Sequence, residues 1–251
     1  MRDRTHHIDL LLRKLALLET LDDAEQAAIA GLSFDLENVP AHRVLIREGN
    51  QVTHCCLLVR GFACRHKMAR TGKRQIVAFQ MAGDMMDLQH SLLSRADHNL
   101  QMITDGTVGW VSITALKAVC AQYPHIARAF AKDVLVDAAI FREWVLNVGG
   151  RDAKTRVAHM LCEFVARREA MGISPVEAMR LPMTQEQIGD ATGLTAVHVN
   201  RMLRLLSEEG AFVHEGRELV ISDWPMLKAM ADFDAAYLHG LAPEPQSATA
   251  A

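Results

Sequence analysis

The sequence predicts an α+β protein with three parts. They are an N-terminal antiparallel β-roll (double-stranded β-helix or jelly-roll-like), a long dimerisation helix and a C-terminal winged helix-turn-helix. Three observations predict it. Short apolar or alternating runs are punctuated by Gly49, Gly61, Gly72, Gly83 and Gly106, the pattern of short strands with frequent turns. Ala127, Ala131, Val134, Ala138, Phe141, Val145 and Val148 alternate at steps of four and three, which reads as one helical seam. The stretch "MTQEQIGDATGLTAVHVNRMLRLLSEEGAF" sets two capped helices on either side of a glycine turn. The chain therefore divides into 1–122 (N-terminal helices and roll), 123–149 (dimerisation helix), 150–225 (winged helix-turn-helix) and 226–251 (a C-terminal extension whose end is expected to be disordered).

The elements follow in order. Leu10, Leu11, Leu15 and Leu18 fall at helical spacing, and "DDAEQAAIAGL" reads as a second short helix with Asp22 as its N-cap. Strands are expected in "HRVLIREGN", "HCCLLVRGF", "ACRHKMARTGKRQIVAFQ" and "VGWVSITA", with Pro40 ahead of them, where it interrupts no ladder. Pro124 suits the first turn of the long helix. The dimer seam is placed on Val134, Ala138, Phe141, Val145 and Val148, because a helix buried in its own core normally carries a wider apolar stripe than this one. Gly149 and Gly150 break that helix, and another runs through "RDAKTRVAHMLCEFVARREAMG". "LPM" reads as a brief strand. Thr184 and Gln187 form a T-x-x-Q capping box, Gly193 makes the turn, Thr195 caps the next helix and Gly210 follows its end. "FVHEGRELVIS" supplies two strands around Glu215 and Gly216, the wing.

In a helix-turn-helix the second helix enters the major groove of double-stranded DNA by its N-terminal end. Short side chains there allow close approach, while Asn and Arg offer bidentate partners to adenine and guanine. The DNA face is accordingly assigned to Thr184 and Gln185 on the first helix and to Thr195, Ala196, Val197, His198, Asn200, Arg201 and Arg204 on the second. Leu203, Leu205 and Leu206 hold that helix to the core.

Composition sets the bounds. The 251 residues are 50% hydrophobic and carry a net charge of -3, so nothing global announces nucleic acid and any such surface must be local. No apolar run reaches the ~20 residues of a membrane span. The N-terminus lacks the pattern of a secretory signal, and the five scattered cysteines suit a reducing cytoplasm.

The order of parts resembles the Crp/Fnr family of bacterial transcription regulators over roughly residues 8 to 225. "RVLIREGNQVTHCCLLVRGFACRHK" is similar to the opening of that family's roll, and "MTQEQIGDATGLTAVHVNRMLRLLSEEGAF" to its DNA-binding signature. The resemblance implies a homodimer on a palindromic site, with RNA polymerase as a partner if the protein activates. It also implies an effector pocket at Asp87, Leu88, Arg95, Ala96 and Asp97. Cyclic-AMP-responsive members hold the cyclic phosphate with a Gly-Glu and an Arg-Ser pair. Here Asp87-Leu88 and Ala96-Asp97 stand in those places, and a carboxylate there repels a phosphate, so a cyclic nucleotide is disfavoured. An iron-sulfur cluster is disfavoured too, since no cysteine precedes Cys55 and adjacent Cys55 and Cys56 point to opposite faces of a strand. The effector is left open. Where family members often carry Glu-x-x-Ser/Gly-Arg, this chain has Val197, Asn200 and Arg201. Arg201 is therefore the retained guanine reader, and Val197 offers methyls to a thymine.

Other readings carry less. His6 and His7 are expected to be exposed at the terminus. His54 with Cys55, and Cys64 with His66, would need to converge across neighbouring strands to hold a metal, and ordinary strand residues are the simpler reading. His90 and His98 lie near the pocket and could face a ligand or haem, although surface or core histidine is favoured. Met81, Met85 and Met86 read as packing. No nucleophile elbow, phosphate loop or metal-hydrolase motif marks an enzyme. The alternative function is a ligand-binding or protein-interaction module whose winged helix contacts protein.

Overall fold

A computed structural model describes residues 3–215 and 218–241. Two helices open the chain, α1 (Asp3–Ala16) and α2 (Asp23–Ala30). Asp22 caps α2 in a reciprocal capping box with Glu25. Eight strands follow: β1 (Asp35–Val39), β2 (Val44–Ile46), β3 (His54–Arg60), β4 (Ala63–Met68), β5 (Arg74–Gln80), β6 (Met85–Met86), β7 (Asn99–Met102) and β8 (Gly106–Ser112). They form two antiparallel four-stranded sheets, ordered β1-β8-β3-β6 and β2-β7-β4-β5. Consecutive β3 and β4 thus belong to opposite sheets. The chain crosses between them at Gly61, whose φ is +92° and where a Cβ would stand 2.7 Å from the Asp105 carbonyl oxygen.

This layout corrects several expectations. Pro40 lies between β1 and β2, because β1 precedes it. The pairs His54/Cys55 and Cys64/His66 sit in different sheets and do not meet across neighbouring strands. Cys55 and Cys56 do point to opposite sides, one toward the helices and one into the roll. His7 is buried edge-on against Phe34 rather than exposed. The run after Trp110 turns into a helix, α3 (Ile113–Gln122), capped by Ser112.

The long helix α4 (Pro124–Gly150) carries two faces. Ile126, Ala129, Phe130, Val136, Ala139, Ile140 and Trp144 are buried within the chain. The predicted seam lies on another side: Phe141 and Val145 are 50% and 60% exposed, Ala138 is exposed, and Val134 and Val148 are half-buried. The narrow seam was therefore only half of the helix's apolar surface. The buried half was hidden in the sequence by Asp133 and Asn147, which it includes.

Those polar residues are partnered. Lys14 on α1 reaches Asp84 (2.7 Å) and Asp133 (2.8 Å), and Asp84 also takes Arg167 (3.1 Å). Four buried charges thereby join α1, the β5–β6 turn, α4 and α5 (Ala153–Ala170). The carboxyl groups diverge. Burial opposes ionisation of both, but Lys14 and Arg167 together hold Asp84 below the ordinary carboxylate range. Asp133 is pushed up, because burial and repulsion from Asp84 and Asp137 outweigh Lys14.

The C-terminal part comprises α6 (Pro175–Ala178), α7 (Gln185–Thr192), α8 (Ala196–Glu208), β9 (Phe212–Glu215), β10 (Glu218–Ile221) and α9 (Trp224–Met230). No strand forms at "LPM"; the residue before it, Arg180, makes a single bridge to Val220 instead. The expected boundary at 225 cuts α9, and the chain beyond it packs back: a 3₁₀ turn, Ala235–Leu238, buries Leu238 and directs the Tyr237 hydroxyl to Glu163 (3.0 Å). Gly216 of the wing turn and the tail from 242 onward lie outside the described residues.

Candidate nucleic-acid interface and effector cleft

The geometry of α7 and α8 is set by local chemistry. Thr184 accepts from the Gln187 amide while its own amide donates to Gln187 Oε1 (2.8 Å), satisfying two amides at the head of α7. Gly193 ends α7 with φ +73°. The turn is tight: a Cβ on Gly189 would lie 2.7 Å from the Leu194 carbonyl oxygen. Thr195 then caps α8 by accepting from the His198 amide at 3.2 Å.

Packing sorts the faces of α8. Val199, Met202, Leu203 and Leu206 are buried, and Leu205 is half-buried against the same core. Opposite them, Thr195, Ala196, Val197, Asn200, Arg201 and Arg204 are exposed, Val197 at 83%. Steps of three and four place the last four on one stripe. His198 is half-buried, and its Nε2 lies 3.1 Å from Arg201 Nη2. Arg204 pairs with Glu208 at 3.3 Å. Thr184 and Gln185 are exposed at the head of α7.

Two other elements grip the far end of α7. Arg74 Nε of β5 meets Asp190 at 2.6 Å, Gln75 donates to the Ala191 carbonyl, and Arg156 of α5 donates to the Thr192 carbonyl. The orientation of α7 and α8 is thus coupled to the roll.

The roll meets α4 across a cleft of about 460 Å³ lined by Arg65, Lys67, Gln89, Asp97, His98 and Asp137, with Val134 and Phe141 on its helical wall. Asp87 lies beneath it, fully buried in a left-handed conformation (φ 67°). It takes His98 Nε2 at 2.8 Å and Arg65 Nε at 3.4 Å. His98 Nδ1 meets Asp97 at 2.7 Å. Both imidazole nitrogens therefore face carboxylates, an arrangement suited to the doubly protonated ring. Burial acts against that charge, but the Asp87 bond and the neighbouring carboxylates outweigh it and raise the His98 pKa. Burial likewise opposes ionisation of Asp87, yet the His98 bond and the Arg65 charge hold its carboxyl below the usual range. Arg65 also bonds Asp137 of α4, linking roll to helix.

Of the pocket residues read from the sequence, Asp97 lines the cleft and Asp87 supports it from below through His98. Leu88 packs toward α4, Ala96 is buried inside the roll, and Arg95 is on the surface, donating to the Gly49 carbonyl. Arg65, Lys67 and Asp137 were missed; an arginine amid the β4 strand pattern was the available signal. Among the described residues no group of three or more His, Cys, Asp or Glu side chains converges as a metal site.

Comparison with known proteins matches both halves. A cyclic nucleotide-binding domain model matches residues 36–123, and a Crp-like helix-turn-helix domain model matches 155–230. The chain belongs to the Crp/Fnr family of bacterial transcription regulators. It is 23% identical to the transcriptional activator protein FnrL of Cereibacter sphaeroides, over 90% of this chain and 92% of that one. It is 20% identical to the fumarate and nitrate reduction regulatory protein of Salmonella typhimurium, over 90% of each chain. The solved structure of FixK2 from Bradyrhizobium japonicum shares the fold, with a TM-score of 0.71, 23% identity, and coverage of 79% of this chain and 98% of that one. In this Crp/Fnr member the first matched domain supplies the roll side of the cleft, α4 beyond it supplies the other wall, and the second matched domain contains the α7–α8 pair.

Proposed function

We propose that this regulator is a homodimer that reads a two-fold-symmetric DNA site through Thr184 and Gln185 of α7 and Thr195, Ala196, Val197, His198, Asn200, Arg201 and Arg204 of α8. The observation that carries this reading is the stripe on α8: four residues able to meet base edges or phosphates stand exposed on one face while the opposite face is core. Arg201 addresses guanine and Val197 a thymine methyl. The exposed side of α4, with Ala138, Phe141, Val145 and the half-buried Val134 and Val148, pairs with its symmetry mate. That pairing sets the two recognition helices about one DNA turn, ~34 Å, apart. RNA polymerase is the further partner if the protein activates.

The signal enters at the cleft, and it is not a cyclic nucleotide. The cations best placed to meet a phosphate, Arg65 and His98, are each held between two carboxylates. Two of those carboxylates, Asp97 and Asp137, themselves line the cleft. An iron-sulfur cluster finds poor ligands: burial pushes the Cys55 and Cys64 thiols up to about 12. The protein works in the cytoplasm and is not an enzyme. No helix among the described residues is long and apolar enough to cross a membrane.

Selection from a random duplex pool, with sedimentation of the protein alone and on the selected duplex, tests this reading. Enrichment of a palindrome bound by two chains is expected. Retention without sequence enrichment, or a single chain on the selected duplex, overturns it.

A further inference from the structure

The interaction that bears on how bases are read lies within α8 itself. His198 and Arg201 are three residues apart, close to one helical turn, and Arg201 Nη2 stands 3.1 Å from His198 Nε2. Guanidinium groups have only donors, so the imidazole must accept. That assigns His198 the neutral tautomer, with its proton on Nδ1 and a lone pair on Nε2. The backbone that carries the imidazole is fixed, since the His198 amide donates to the Thr195 hydroxyl that caps the helix. It is half-buried where Arg201 is exposed, so the less mobile side chain steers the more mobile one.

Arg204 provides the contrast. It is held by the Glu208 carboxylate at 3.3 Å, which offsets its charge. Arg201 has no carboxylate partner among the described residues and is held only by a neutral ring. A neutral acceptor orients a guanidinium while leaving its full charge and its remaining N–H donors for a ligand.

We infer that His198 is a positioning residue. It sets the Arg201 guanidinium in advance for bidentate donation to a guanine edge, and so decides how sharply that base pair is read. This rests on the reading of Arg201 as a guanine contact. The physical basis is preorganisation: a long, rotamer-rich side chain fixed before binding loses less freedom on binding. The guanine edge offers two acceptors side by side, O6 and N7, and rewards a guanidinium whose plane is already aligned with them.

Binding is measured at one salt concentration against the selected site and all its single-base variants. The proteins compared are the full chain, Arg201→Ala, His198→Leu, His198→Gln and the double variant Arg201→Ala/His198→Leu. Leucine fills comparable space without an acceptor; glutamine restores one. Thermal melting checks that each folds, and imidazole nitrogen NMR of the free protein reads the tautomer. His198→Leu is expected to lose about 3- to 10-fold on the selected site. The loss should fall at the same base pair that Arg201→Ala relaxes. His198→Gln keeps the preference, and the double variant is no worse than Arg201→Ala alone. If Arg201→Ala relaxes one base pair and His198→Leu leaves that preference intact, the positioning role alone is overturned. If His198→Leu weakens all duplexes evenly, relaxes a different base pair, or adds fully to Arg201→Ala, His198 acts on DNA independently of Arg201 and the inference fails. A free-state proton on Nε2 also overturns it. If Arg201→Ala leaves every base preference unchanged, the guanine reading fails first and the inference falls with it.

Discussion

Replacing Lys14 by methionine removes the one cation with which Asp133 forms an ion pair among the described residues. Methionine fills much of the lysine stem's volume, so the change is chiefly one of charge. Asp84 keeps Arg167 at 3.1 Å and accepts from the Met81 amide at 2.8 Å, so its cost is modest. Asp133 is the exposed liability: its carboxyl is already pushed up by burial and by Asp84 and Asp137 even with Lys14 present. Removing one partner of a buried pair costs about 3–5 kcal/mol. Here Asp133 can take a proton instead of standing as a bare anion, which places the expected loss near the lower end, ~3 kcal/mol. The pH dependence follows from the sign. A carboxyl whose folded pKa is raised destabilises only above its unfolded value, so the deficit of Lys14→Met grows as pH rises from the ordinary carboxylate range. Urea denaturation followed by circular dichroism, at fixed protein concentration from pH 5 to 8, measures it. The variant Lys14→Met/Asp133→Asn is expected to recover a kilocalorie or more, roughly the part owed to the uncompensated charge. A loss below about 1 kcal/mol, or a double variant no more stable than the single, refutes the reasoning.

The remaining predictions concern other joints of the structure. Arg201→Ala should remove about 1–3 kcal/mol of discrimination at one base pair per half-site, whereas Arg204→Ala should weaken all sequences about equally; binding across single-base variants at one salt concentration separates them. Phe141→Glu or Val145→Glu places a charge on the exposed side of α4 and should weaken self-association and DNA binding together, read by sedimentation and gel shift. Gly193→Ala puts a side chain at φ +73° and should cost about 1–2 kcal/mol in thermal unfolding, with no change at the exposed Glu186→Ala of the same helix beyond ~0.5 kcal/mol. The raised pKa of His98 means that its charge stabilises the fold fully below the unfolded histidine value and less as pH rises through the folded one. The stability advantage of the native chain over His98→Gln should therefore shrink from pH 6 to 9; an advantage that grows over that range contradicts the assignment.

Local chemistry was legible in the sequence. Asp22, Thr184 and Thr195 were readable as caps because a cap is completed within three residues, as Glu25, Gln187 and the His198 amide show. Gly193 was readable as a turn because its conformation, φ +73°, is one few other residues adopt. The face of α8 followed from its period alone, since Leu203 and Leu206 had to be inside if Val197 and Arg201 were out. The 4-3 seam of α4 was likewise visible, and it is the side that the chain leaves uncovered.

Tertiary structure decided the rest. Strand β7, of sequence NLQM, alternates over only four residues, too short a run to stand out, and is fixed by pairing with β2 and β4 on either side. Helix α3 begins with Ile113 and Thr114, which favour strands, and is settled by the Ser112 cap and burial of Leu116. The second buried face of α4 could not be read because Asp133 counts as polar until Lys14, 119 residues earlier, is folded against it. The same holds for the cleft. Arg65, Asp87, His98 and Asp137 lie on four separate segments, and no spacing announces them. A helix cap is determined by neighbours in the chain, so sequence alone determines it. A buried charge is tolerated only where distant partners compensate its lost hydration, so only the fold can say which charges are buried together.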